Sequence, residues 1–130
     1  MAFSDYIDGL QHVGIPTDNL DFTIKFYKSL GFKQSGGPFS YGKIKCTFLQ
    51  LNNLTIETWK GDPVTKKAGA INHISLNTNN VNKAFTEAKN QGLTLLNDKI
   101  QFIPSYWKRG IKFFNMQGPN KEIIEVCQIL

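Results

Sequence analysis

The sequence predicts an α+β protein built from two copies of one strand-helix-strand-strand-strand unit, and three observations carry that prediction. The stretch Leu10-Gln-His-Val-Gly-Ile-Pro-Thr-Asp-Asn-Leu20 returns as Ile71-Asn-His-Ile-Ser-Leu-Asn-Thr-Asn-Asn-Val81. A constant offset of 61 residues carries His12 onto His73, Gly31 onto Gly92 and Phe32 onto Leu93. The ends of the two halves also match, Leu54-Thr-Ile-Glu57 against Glu122-Ile-Ile-Glu125, at an offset of 68. Each half therefore runs from a histidine to a glutamate, and the chain has no other histidine. Repeated sequence implies repeated structure, related by an approximate two-fold axis that can bring equivalent positions face to face.

The elements follow in order. Gln11 to Pro16 alternates as a strand, with Val13 and Ile15 on one face and Leu10, His12 and Gly14 on the other. Thr17-Asp-Asn19 offers N-cap residues to a helix in which Leu20, Ile24, Tyr27 and Leu30 recur at helical spacing, and Gly31 stops it. Phe32 to about Ser35 reads as a second strand, broken at Gly36-Gly37-Pro38. Lys43 to Leu51 and Leu54 to Lys60 form a hairpin around Asn52-Asn53, residues that tolerate the positive φ a tight turn requires. On the last of these strands Thr55, Glu57 and Trp59 share one face; a carboxylate beside an indole implies a cavity wall.

Gly61 to Gly69 is the linker, placing the first module at about residues 8–62 and the second at about 69–130 of one domain, 1–130. The second module repeats the scheme: a strand from Ile71 to Asn77 carrying His73, then a helix lined by Val81, Ala84, Phe85 and Ala88 and ended by Gly92, then a short strand from Leu93 to Leu96. Asn97 to Gly110 is the longest irregular stretch; its Tyr106, Trp107 and Arg109 suit a lid or pocket rim. A hairpin from Ile111 to Met116 and Glu122 to Ile129 closes the module around Gly118-Pro-Asn-Lys121.

Composition bounds the partners. At 130 residues the chain is one domain's worth, and 41% hydrophobic with 12% aromatic residues is globular. No apolar run approaches the roughly 20 residues of a membrane span, and the N-terminus lacks a basic region followed by an apolar one, so the expected compartment is the cytoplasm with no membrane partner. Cys46 and Cys127 lack CxxC spacing, as free thiols of a reducing compartment do. The net charge of +5 comes from fourteen scattered lysines and one arginine, a solvated surface rather than a nucleic-acid footprint.

A lone histidine in a strand is more often a hydrogen-bonded structural residue than a ligand. The repeat weighs against that reading for His12 and His73, because Glu57 and Glu125 also occupy equivalent positions, embedded in apolar sequence. An ionised carboxylate facing a core costs several kcal/mol, as an order of magnitude, unless paired or coordinated. Two His–Glu ion pairs across the two-fold axis, or glutamates facing solvent, are the duller alternatives. Two imidazoles and two carboxylates leave open positions on a six-coordinate ion and suit Zn, Ni, Co or Mn. Such an ion polarises a carbonyl or hydroxyl oxygen and stabilises an enediolate while a glutamate shuttles the proton on carbon. Trp59, Tyr106 and Trp107 are candidate stacking surfaces for a substrate, with plain core packing as the alternative. Arg109 could clamp a carboxylate or phosphate, or be a solvated loop charge.

At Gln11-His12-Val-Gly-Ile-Pro16, Phe26-Tyr-Lys-Ser-Leu-Gly-Phe32, Thr55-Ile-Glu57, Ile71-Asn-His73-Ile74 and Phe114 through Gly118-Pro-Asn to Ile124-Glu125, the chain resembles the vicinal-oxygen-chelate superfamily. That group includes glyoxalase I, methylmalonyl-CoA epimerase, fosfomycin-modifying enzymes, extradiol dioxygenases and bleomycin-binding proteins. The resemblance covers nearly all of the chain. It implies paired βαβββ modules forming a cupped eight-stranded mixed sheet, helices on its outer face, around one divalent metal held by His12, Glu57, His73 and Glu125, and it implies a homodimer. The order His-Glu-His-Glu is most similar to glyoxalase I (lactoylglutathione lyase), which would make Glu125 the catalytic base and Glu57 the opposing carboxylate. Pro16 and Gly61 stand where glutathione-dependent bacterial members carry arginine and asparagine, and Lys121 where the last hairpin usually has glycine. The expected substrate is thus a small α-oxygenated molecule, hydroxycarbonyl or thiohemiacetal. An epimerase, an iron dioxygenase using His12, His73 and Glu125, and a non-catalytic drug- or metabolite-binding protein are the alternatives.

Overall fold

A computed structural model of the protein describes residues 2–6 and 8–130, Phe3 by its backbone alone. After a short 3-10 turn, Phe3–Tyr6, come β1 (Val13–Pro16), α1 (Leu20–Ser29), β2 (Lys33–Tyr41), β3 (Ile44–Leu51) and β4 (Leu54–Lys60). Then follow β5 (Ile74–Asn77), α2 (Val81–Asn90), β6 (Thr94–Leu95), β7 (Gln101–Ile103), β8 (Ile111–Gln117) and β9 (Ile123–Ile129). The chain divides into two compact units, Met1–Val64 and Thr65–Leu130, parted within the Gly61–Gly69 stretch. The first holds a four-stranded sheet in the order β1-β4-β3-β2; the second holds a five-stranded sheet, β5-β9-β8-β6, with β7 also on β8. Both sheets are mixed, because β1 runs parallel to β4 and β5 parallel to β9 while the other pairs are antiparallel.

The repeat extends to individual hydrogen bonds. Asn19 and Asn80 cap the two helices, their side-chain oxygens accepting from Phe22 N and Lys83 N at 3.1 Å each. Their own N–H groups are held by Thr17 Oγ1 and Thr78 Oγ1. At the other ends Gly31 and Gly92 adopt φ of +101° and +71°, and the following N–H groups of Phe32 and Leu93 bond back to Tyr27 O and Ala88 O. This is the Schellman arrangement, and glycine enters its left-handed position without the Cβ penalty.

Each helix covers one face of its own sheet. Tyr27 and Thr23 of α1 are buried with Ile15, Leu49, Thr47, Ile56 and Thr58; Val81, Phe85 and Ala88 of α2 are buried with Phe114, Met116, Ile124 and Val126. The Phe85 and Phe114 rings lie 5.1 Å apart. Strand alternation then sends Glu57 and Trp59 of β4, and Glu125 and Cys127 of β9, to the face their helix does not cover. Among the described residues no helix is long and apolar enough to cross a membrane.

The α+β class and the two-fold repetition are as expected; one strand runs further than expected and one strand is additional. The Gly36-Gly37-Pro38 stretch does not end β2, which continues to Tyr41 through two register shifts against β3. An edge strand accommodates proline and glycine at bulges, and Phe39 and Tyr41 beyond them resume pairing with Cys46 and Ile44. The stretch 97–110 is also less irregular than its composition implies, since Gln101–Ile103 pairs antiparallel with β8 as β7. The second sheet therefore has five strands, and the irregular part splits into 97–100 and the turn 104–110.

Candidate functional site: two histidine–glutamate pairs

In each unit a histidine sits one residue before the first strand, and parallel pairing decides what it faces. Gly14 is in register with Glu57, and Ser75 with Glu125. Two residues upstream of each small partner, on the same face, lie His12 and His73. Their Nε2 atoms stand 3.3 Å from Glu57 Oε1 and 3.5 Å from Glu125 Oε2. The pairs therefore form within each half, one histidine with the glutamate of its own repeat. Glu125 is the most enclosed of the four side chains, 16% exposed against 43% for His73. Pairs as exposed as these contribute about 0–1 kcal/mol as ion pairs alone.

A preceding amide orients each ring. Nδ1 of His12 bonds Gln11 Oε1 at 2.5 Å, and Nδ1 of His73 bonds Asn72 Oδ1 at 3.0 Å. An amide oxygen can only accept, so Nδ1 donates in each of these bonds and Nε2 is the ring atom turned toward the carboxylate. Two electron-rich atoms that close require a positive charge between them, a second ring proton or a cation. Two donors at about 2.1 Å from one ion lie about 3.0 Å apart on an octahedron and about 3.4 Å apart on a tetrahedron. At 3.3 and 3.5 Å both pairs are close to the tetrahedral spacing, which an ordinary His–Glu ion pair shares. The donors and the amides behind them therefore fit a divalent metal, although among the described residues no group of three or more His, Cys, Asp or Glu side chains is gathered around one point.

The surroundings of the two pairs differ. In the first unit the His12 ring meets Phe48 edge-on at 5.4 Å, and Trp59 covers Gly14 so closely that a Cβ there would lie 3.1 Å from the indole. Trp59 Nε1 donates to Asp62 at 2.7 Å, which fixes the ring as a wall beside Glu57. Cys46 is half-buried; burial first, and then the charge of the Glu57 carboxylate near it, push the thiol pKa above its ordinary value.

In the second unit His73 and Glu125 open into a cleft of about 440 Å³, with Asn72 and Asn115 beside them and Tyr106 and Trp107 at its edge. Tyr106 and Trp107, which the sequence marks as a rim, thus share a cleft with the His73–Glu125 pair. Arg109 is exposed in the same turn and does not line it. Gly110, at φ +99°, closes the turn where a Cβ would collide with Phe102 and with the Ile103 carbonyl.

Sequence reasoning passed over Gln11, Asn72, Phe48, Cys46 and Asn115. The first two had a signal: an amide residue directly precedes the histidine in both copies of the repeat. The other three reach the site by cross-strand register, Phe48 opposite Glu57 and Asn115 opposite Glu125, which no local pattern displays.

Comparison with known proteins agrees with this fold. The chain is 27% identical over 125 residues to the uncharacterized protein YwbC of Bacillus subtilis strain 168, covering 92% of this chain and 96% of that one. Among solved structures, the glyoxalase family protein of Enterococcus faecalis superposes with a TM-score of 0.76 at 19% identity, over 94% of this chain and 98% of that one. The genomically encoded fosfomycin resistance protein FosX of Listeria monocytogenes superposes at 0.68 with 17% identity, over 95% of each chain. Identities this low speak for the fold alone. The sequence profile of one superfamily matches residues 11–111, from just before His12 to the start of β8. The chain belongs to the glyoxalase/bleomycin resistance protein/dioxygenase superfamily.

Proposed function

We propose that the protein is a metal-dependent lyase or isomerase of the glyoxalase type, acting on a small α-oxygenated substrate, a hydroxycarbonyl or a thiohemiacetal. The observation that carries this reading is the duplicated pair: His Nε2 opposite a Glu oxygen at 3.3 and 3.5 Å, each on the helix-free face. In this reading His12, Glu57, His73 and Glu125 are the residues that would supply donors to a Zn, Ni, Co or Mn ion, with positions left for substrate oxygens. The ion supplies Lewis-acid polarisation of a substrate carbonyl or hydroxyl oxygen. Glu125, the most enclosed carboxylate, takes the proton from the carbon beside the polarised carbonyl and returns it to the neighbouring carbon. Glu57 is the second carboxylate of the proposed set, paired with His12. Gln11 and Asn72 keep each imidazole in the tautomer that presents Nε2. Tyr106 and Trp107 line the cleft at the His73–Glu125 end. The superfamily resemblance and the two free cysteines support a homodimer working in a reducing cytoplasm.

Deuterium exchange tests the reading. Protein loaded in turn with Zn, Ni, Co or Mn and given hydroxyacetone, the hemithioacetal of methylglyoxal or the aromatic hemithioacetal of phenylglyoxal in D2O should place deuterium on the carbon next to the carbonyl. Glu125→Gln should slow that exchange by about 10²–10⁴-fold, the contribution of a general base. No metal-dependent exchange with any of the three would contradict the proposal.

A further inference from the structure

The cleft at His73 and Glu125 has a chemistry of its own. Its walls away from that pair are Leu96, Ile103, Ile111, Phe113, Tyr106 and Trp107, and among the described residues no lysine or arginine lines it, although the chain carries a net charge of +5. Glu125 is the one acidic side chain there. A cationic surface that leaves one concavity without cations is poorly suited to gripping an anionic ligand such as a peptide carboxylate or phosphate. The volume, about 440 Å³, lies within the range of small-molecule sites. It exceeds the roughly 150 Å³ that encloses a benzene ring, leaving room for a fused ring system and a polar end.

The edge is held in an unfavourable conformation. Trp107 has φ of +51° and is 63% exposed, and Tyr106, 52% exposed, meets it edge-on at 6.2 Å. A left-handed backbone at a non-glycine residue costs about 1–2 kcal/mol, and exposed aromatic surface gains nothing in the free protein. Gly110 sets the geometry of this turn, and its own φ of +99° admits no side chain.

We infer that this cleft binds the neutral aromatic part of the ligand, so that the substrate of the proposed reaction carries a planar aromatic substituent next to the oxygens held at the His73–Glu125 end. Trp107 and Tyr106 stack on the ring, the aliphatic wall takes its edge, and Asn72 and Asn115 face its polar end. The inference rests on the proposed reaction for the identity of the polar end alone; ring binding needs no metal.

The test uses chelator-treated full-length protein and three probes: naphthalene-2-carboxamide, neutral and aromatic; naphthalene-2-carboxylate, its anionic counterpart; and acetamide, which lacks the ring. Calorimetric titration, with saturation-transfer NMR to identify the contacting protons, should rank the neutral amide at least tenfold tighter than either control. Trp107→Ala should weaken it about three- to tenfold, the fold-change equivalent of an aromatic pair. Trp107→Phe should retain most of the affinity, and Tyr41→Phe, exposed at the end of β2, should leave it unchanged. Equal affinity for amide and carboxylate, or an unchanged constant in Trp107→Ala, would overturn the inference. So would light scattering showing that Trp107→Ala abolishes a dimer while no probe binds, because a second copy would then be the occupant. Loss of metal-dependent exchange with intact probe binding would instead remove the proposed reaction and keep the aromatic site.

Discussion

Gln11 and Asn72 give a sharp test, because each touches its histidine from the side that a metal would not use. Replacing Gln11 by alanine removes the acceptor from His12 Nδ1, and replacing Asn72 does the same for His73. The ring then rotates, and the tautomer that presents Nε2 to Glu57 or Glu125 loses its advantage. Removing such a supporting partner typically lowers metal affinity about 10- to 100-fold, or about 1.4–2.7 kcal/mol. The bond from Gln11 is the shorter, 2.5 against 3.0 Å, and His12 is the less exposed ring, 35% against 43%. Gln11→Ala should therefore cost more than Asn72→Ala. Competition against a fluorescent zinc chelator, repeated with Co so that the ligand-field spectrum reports geometry, measures both. Because Gln11 and Asn72 are exposed, neither change should move the melting temperature appreciably. Unaltered affinity in both variants would refute the orienting role. A loss as large as that from His12→Ala would show the amide to be a ligand itself.

Two predictions concern the scaffold. Thr58 is fully buried on the helix-covered face, and among the described residues its Oγ1 is the buried side-chain polar atom without a hydrogen-bond partner. Thr58→Val keeps the shape and removes the unsatisfied hydroxyl, so chemical denaturation should show stability gained by about 1 kcal/mol; a loss would mean that the hydroxyl is satisfied in solution. Gly14→Ala places a Cβ about 3.1 Å from the Trp59 ring, which its bond to Asp62 holds in place. That substitution should cost about 1–3 kcal/mol and shift the tryptophan emission, and an unchanged melting curve and spectrum would contradict the close packing.

Much of this architecture could be read before any coordinates because the chain states it twice. His12 and His73, Asn19 and Asn80, and Gly31 and Gly92 each mark the same structural event, and a signal seen at one position is corroborated at the other. The helix boundaries followed from caps whose chemistry is local. What escaped was non-local. Pro38 reads as a break, yet β2 is an edge strand and tolerates it through register shifts against β3. Gln101–Ile103 is too short to announce itself and becomes a strand only because β8 offers a free side.

The same distinction applies to the site. Alternation placed Glu57 and Trp59 on one face from the sequence alone, and the structure agrees. It could not reveal that parallel register sets Gly14 opposite Glu57 and Ser75 opposite Glu125, which is what turns each histidine toward the glutamate of its own repeat rather than toward the other. Nor could composition separate Tyr106 and Trp107, which line the cleft, from Arg109 two residues later, which does not.

The proposal under test is that His12, Glu57, His73 and Glu125 are metal ligands. Calorimetric titration of metal-stripped protein with Zn, Ni, Co and Mn tests it most directly, on the wild type and on His12→Ala, Glu57→Gln, His73→Ala and Glu125→Gln. The account predicts one ion per chain and a loss of at least about 100-fold in affinity for every one of the four, no smaller than the effect of removing a supporting partner. Binding that survives when both members of either pair are replaced, or no binding by the wild type, would contradict it.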